Sequence, residues 1–174
     1  MFTYPQGFMN KSLPPEIEYH AYRGAGGVTS IRNFNNVPIG EEAPDRLVII
    51  CVQGYHNGGG NVLSVTIGGI EAVIHRNQAI LYNSIAVASA IVPTGNVSNI
   101  QINWSTVQSG CAIYVYTIKN IKSSEPYINL IDTTNPLSVE VTAKKNTALI
   151  GFSSNYDVNS YHSWTGGLGL IKND

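Results

Sequence analysis

Between Arg46 and Lys119 the apolar segments of this chain are rich in Val, Ile and Tyr, and each is interrupted by Gly, Asn or Pro before it reaches helical length. Arg46–Gly54 reads Arg-Leu-Val-Ile-Ile-Cys-Val-Gln-Gly, and four comparable segments follow at Val65–Val73, Ile85–Pro93, Ile100–Trp104 and Cys111–Lys119. Short β-branched runs with such punctuation specify strands. Gly68-Gly69 stands between Val65-Thr-Ile and Ile70-Glu-Ala-Val, where a glycine pair supplies the positive φ angles of a two-residue hairpin turn. Ile100, Ile102 and Trp104 alternate with Gln101 and Asn103, so that strand has one buried and one wet face. Leu47–Val52 and Ala112–Tyr116 are apolar at consecutive positions, as in central strands covered on both faces. Leu137–Thr142 alternates again, Thr147–Phe152 adds another apolar strand, and 121–136 reads as a loop. About nine strands and no helix give an all-β fold, expected to be an antiparallel β-sandwich of jelly-roll or Greek-key type.

Residues 1–45 differ in texture. Pro5, Pro14, Pro15, Pro38 and Pro44, with Gly24, Gly26 and Gly27, mark an extended N-terminal arm and peripheral strands ahead of a β-domain at 46–174. Ile17–Arg23 and Val28–Phe34 are read either as two short edge strands joined by a turn at Gly24–Gly27 or as an irregular segment laid over the core. Phe2, Tyr4 and Phe8 are too apolar for a solvated tail and are assigned to an attachment arm that buries them against another surface.

Only 12% of the 174 residues are charged, with 10 Lys+Arg against 11 Asp+Glu. That balance lacks the electrostatic footprint of a nucleic-acid binder or a polybasic membrane ligand. The first residues carry neither a basic nor an apolar signal region, and no apolar run approaches the roughly 20 residues of a membrane helix. Synthesis in a cytoplasm is expected. Cys51 and Cys111 then stay reduced and buried in their strands. Strands buried on both faces beneath a nearly neutral surface imply a homo-oligomer, expected to be a trimer.

The chemistry-bearing residues do not form a catalytic pattern. Gly24-Ala-Gly-Gly lacks the third glycine and the following helix of a dinucleotide fingerprint. His20, His56, His75 and His162 are dispersed without zinc spacing, so no metal and no cofactor are expected. Adjacent Glu41 and Glu42 point apart in an extended chain and cannot flank a glycosidic bond, and no nucleophile elbow is present. The reading is non-enzymatic. What remains is aromatic: Tyr55 with His56, Tyr82, and the cluster Tyr156, Tyr161 and Trp164 lie on polar loops, where such rings stack on sugars or anchor partners.

The Arg46–Val52 strand, the Ser64–Ala72 hairpin, the Ala90-Ile-Val-Pro-Thr-Gly turn and the Cys111–Tyr116 strand together resemble small β-sandwich proteins encoded by tailed bacteriophages and prophages. The proline-rich first 45 residues depart from that pattern. The resemblance implies a structural protein of a virion, assembled in the host bacterial cytoplasm with other capsid or tail subunits as partners. An accessory capsid decoration protein is the first expectation. The alternative is a tail-fibre or spike module that binds a host-surface receptor or glycan.

Overall fold

A computed structural model describes residues 13–56, 59–80, 82–126, 142 and 147–152. Seven strands form one antiparallel sheet: β1 (Glu16–Pro38), β2 (Leu47–Tyr55), β3 (Val62–Ile67), β4 (Ile70–Glu71), β5 (Val73–Ile80), β6 (Asn83–Ile91) and β7 (Val97–Lys119). The order is β4-β3-β7-β2-β6-β5, with β1 along the other side of β7. There is no helix among the described residues.

Two of these strands are 23 residues long. Straight, each would span roughly 75 Å, about twice the diameter of a compact chain of this length. They therefore bend together. Glu16–Gly26 pairs with Gly110–Lys119, and Thr29–Pro38 with Val97–Gln108, with register shifts on both sides of Thr29. Gly27, at φ 94°, takes a backbone conformation closed to most side chains and turns the corner. Gly24–Gly27 is thus the bend of one strand, where the sequence suggested a turn between two. Ile100–Trp104 and Cys111–Lys119, read as separate strands, also join across this corner, because Ser105 N still donates to Asn61 O at 2.8 Å.

The bend lets β7 serve two sets of neighbours. Its first half pairs with β3 and its second with β2, which continues through β6 to β5. The sheet curls until β5 meets β3 and is nearly closed into a barrel. At this seam Ala72 N donates to Val65 O at 2.8 Å. The Asn77 amide completes the seam from a side chain, accepting from Val62 N at 3.1 Å and donating to Val62 O at 2.6 Å. The Gly68-Gly69 hairpin forms as the sequence indicates, at φ 62° and 81°.

The barrel interior is filled by the inward face of every long strand: Phe34 and Val37 of β1, Ile50 and Val52 of β2, Ala88 of β6, and Ile102, Trp104 and Ile113 of β7. Residues 16–39 thus supply part of the core. Packing at the Trp104 end leaves no spare room. A Cβ on Gly54 would lie 2.5 Å from Trp104 Cη2 and 2.8 Å from Gln108 Oε1, so only glycine admits the indole there.

The opposite end is held by Arg46, which is fully buried. Its guanidinium donates to Val92 O and Gly40 O at 2.7 Å and, through Nη2, to Thr94 O at 2.8 Å and Gly95 O at 2.7 Å. One fixed cation thereby ties the connection before β2 to the connection after β6. Beside it His20 projects from the β-bulge between Tyr19 and Ala21, with Nε2 2.7 Å from Thr117 Oγ1. Its ring occupies the place that a Cβ on Gly40 would take.

Replacing Arg46 with Met removes these charge-assisted bonds and leaves the carbonyls without partners. The expected loss is about 3 kcal/mol or more, read by chemical denaturation followed through Trp104 fluorescence. Burial, aided by the positive charges of Arg46 and Lys119 and opposed by Glu18, lowers the His20 pKa below its usual 6.5. Above that value both folded and unfolded states are neutral. As pH falls through it, the unfolded chain takes up a proton that the folded chain resists, so stability declines. Thermal unfolding at pH 7.5 and pH 5 should show a smaller acid loss for His20→Asn than for the native protein.

Candidate functional site

The outward side of β1, β7, β2 and β6 carries the largest gathering of aromatic side chains among the described residues. Register places them in rows across the sheet. Ile17, Ile118, Leu47 and Ile91 form the first row, and Tyr19, Tyr116, Ile49 and Ser89 the second. Tyr22, Tyr114, Cys51 and Val87 follow, then Gly24, Ala112, Gln53 and Ile85, and finally Gly26, Gly110, Tyr55 and Asn83. The first row is aliphatic and, together with Ile49 of the second, is already capped by this chain, because Ala148 and Ile150 pack onto Leu47, Ile49 and Ile118. That explains why β2 is buried on both faces without a second molecule.

The next rows are aromatic and more open. Tyr19 and Tyr116 meet with ring centroids 5.3 Å apart, Tyr22 and Tyr114 at 5.2 Å, and Tyr114 and Phe152 at 5.6 Å, all tilted. Tyr22 lies down along its own strand, with Oη 2.9 Å from where a Gly24 Cβ would sit. Tyr55 lies over Gly110, with Cδ2 3.6 Å from the corresponding position. Gln53 Nε2 donates to the Tyr55 phenol and, at 3.5 Å, to Asn83 Oδ1. Ser109 Oγ donates to Tyr55 O at 3.0 Å.

Burial raises the pKa of the Tyr19, Tyr55 and Tyr114 phenols above the usual 10; Tyr22 adds to the rise in all three, while Arg23 opposes it at Tyr19. All three are therefore protonated donors at neutral pH. Arrayed phenols, an amide and an apolar floor suit binding. No group of three His, Cys, Asp or Glu among the described residues is placed to hold a metal ion.

Of the residues singled out from sequence, Tyr55, His56 and Tyr82 come together, since His56 N donates to Tyr82 O at 3.2 Å. They occupy the end of the β2–β6 pair next to the tyrosine rows. Phe2, Tyr4, Phe8, Tyr156, Tyr161 and Trp164 lie outside the described residues. Tyr22, Tyr114 and Tyr116 are not among the candidate site residues that the sequence singles out. Tyr22 belongs to a segment read as peripheral, and only the β1–β7 register sets it beside Tyr114.

Cys51 and Cys111 are free and buried. Cys51 pairs with Tyr114 and Cys111 with Gly54, three positions apart on neighbouring strands, so their Cα atoms are roughly 11 Å apart, beyond the reach of a disulfide. Burial pushes both thiols up to about 12, which keeps them unreactive. No family model, curated protein or solved structure matches this chain.

Proposed function

We propose that this protein is a non-enzymatic structural component of a bacteriophage particle, an accessory decoration protein of the capsid, with the tyrosine-lined sheet face as its working surface. The observation that carries the reading is that face. It is a rigid, nearly charge-free array on central strands, suited to holding a partner and lacking groups arranged to transform one. The virion setting rests on the sequence resemblance, the jelly-roll or Greek-key sandwich on the strand pattern, and the N-terminal arm on the proline- and glycine-rich texture of residues 1–45. The fold-over of the β1–β7 ribbon is compatible with that architecture. A tail-fibre or spike module is the second reading, favoured by the exposed ring of Tyr22 beside the Gln53–Tyr55 pair.

The free side of β1 supports the proposed trimer. Val28 is 75% exposed and Ile31 50%, and both lie on a strand with only one neighbour among the described residues. Sedimentation of the purified protein should give a trimer, and a monomer at micromolar concentration argues against it. Quantitative mass spectrometry of purified particles from the source host tests the assignment itself. Copies on the order of hundreds per particle are expected for decoration. A few dozen or fewer favour the fibre, and absence from particles overturns both.

A further inference from the structure

We propose that Tyr22, Tyr114 and Tyr55 form a binding platform for a neutral carbohydrate. The inference rests on reading the tyrosine face as the working surface, and it does not depend on where in a particle the protein sits.

Three features of the face select this ligand. The first is its flatness. Strand residues normally stand perpendicular to the sheet, yet Tyr22 lies down over Gly24, where the missing Cβ makes room for its hydroxyl, and Tyr55 lies against Gly110 at ordinary van der Waals distance. Ala112, paired with Gly24 on one side and Gln53 on the other in the row between them, rises no higher than a methyl group. The outcome is a broad ring surface at the level of the backbone, which can be covered by a flat apolar face such as the C–H side of a hexose ring.

The second feature is the polar supply. Tyr55 Oη accepts from Gln53 Nε2, which leaves the phenol hydrogen directed elsewhere. Burial keeps the phenols of Tyr55 and Tyr114 protonated. Sugar hydroxyls both donate and accept, and they match phenols that do the same.

The third feature is what the face lacks. In the rows from Tyr22 to Asn83 on β1, β7, β2 and β6 no residue is charged. An ionic partner would lose its hydration without finding a countercharge there. The aliphatic rows that would attract a hydrophobic protein segment are already occupied by Ala148 and Ile150. Beyond them the face is aromatic and neutral: Phe152 rests against Tyr114, Gln53 and Ala112 are buried beneath the rings, and Tyr22 presents the surface to solvent at 52% exposure.

The test is an array of neutral hexose and N-acetylhexosamine oligosaccharides printed beside sialylated and sulfated ones, with hits titrated by NMR against the purified full-length protein. The native protein should bind one or more neutral glycans. Tyr22→Ala, a substitution at an exposed position, should weaken that binding at least ten-fold. Gly24→Val, which lifts the Tyr22 ring without removing it, should do the same. Leu63→Ser, 64% exposed on a different strand, should leave binding unchanged. No binding to any neutral glycan, binding confined to the acidic ones, or binding that survives both Tyr22→Ala and Gly24→Val would overturn the proposal. Particle occupancy without glycan binding would defeat this inference and leave the virion assignment standing. Glycan binding by a protein absent from particles would do the reverse.

Discussion

The ladder between β1 and β7 is the constraint from which the remaining architecture follows. Two strands of 23 residues cannot stay straight inside a compact chain, so their common bend at Gly26–Gly27 and Ser105–Gly110 decides where every other strand pairs. Because β7 turns, β2 and β3 share the same side of it while belonging to different parts of the barrel wall. The interior is then the space enclosed by the folded ribbon and the strands attached to it. Phe34 and Val37 from one half of β1 and Ala21 from the other contribute to a single core. Hydrophobic burial drives the collapse, and the ladder gives it a shape.

Closure requires polar devices where strands cannot pair. Asn77 imitates a backbone neighbour for Val62, supplying an acceptor and a donor from one amide. Arg46 gathers carbonyls from two connections that would otherwise leave buried acceptors exposed to nothing. Its charge has a local role, because all four of its hydrogen bonds end on neutral carbonyl oxygens. Burial is the main cause of the lowered His20 pKa, and Arg46 adds to it, since two cations at the same end of the barrel would repel.

Much of this is legible in the sequence. Period-two alternation at Ile100, Ile102 and Trp104, and two-sided apolarity at Leu47–Val52, identify strand type and position correctly. The Gly68-Gly69 turn follows from local φ requirements alone. What stayed hidden depends on long-range register. Gly24–Gly27 carries the same local chemistry whether it makes a turn or a corner, and only pairing with Gly110 across the sheet distinguishes them. Arg46 reads as a polar strand start because its partners come from residues six to 49 positions away. The tyrosine face was half visible for the same reason. Tyr114 and Tyr116 share a face by simple alternation, while Tyr19 and Tyr22 reach it from β1 and Tyr55 from β2.

The candidate site inherits its rigidity from this framework. Tyr22, Tyr114 and Tyr55 stand on three adjacent strands of which β7 is the middle one, so the platform exists only while β1 holds its register on β7. Native-state amide hydrogen exchange examines that dependence directly. Amides of β1 that point at β7 should exchange only with global unfolding, on both sides of the Gly26–Gly27 corner and at the same free energy as those of β2 and β6. Exchange of β1 as fast as the 39–46 connection, with β2 and β6 still protected, would show that the ribbon is an appendage and would contradict the account.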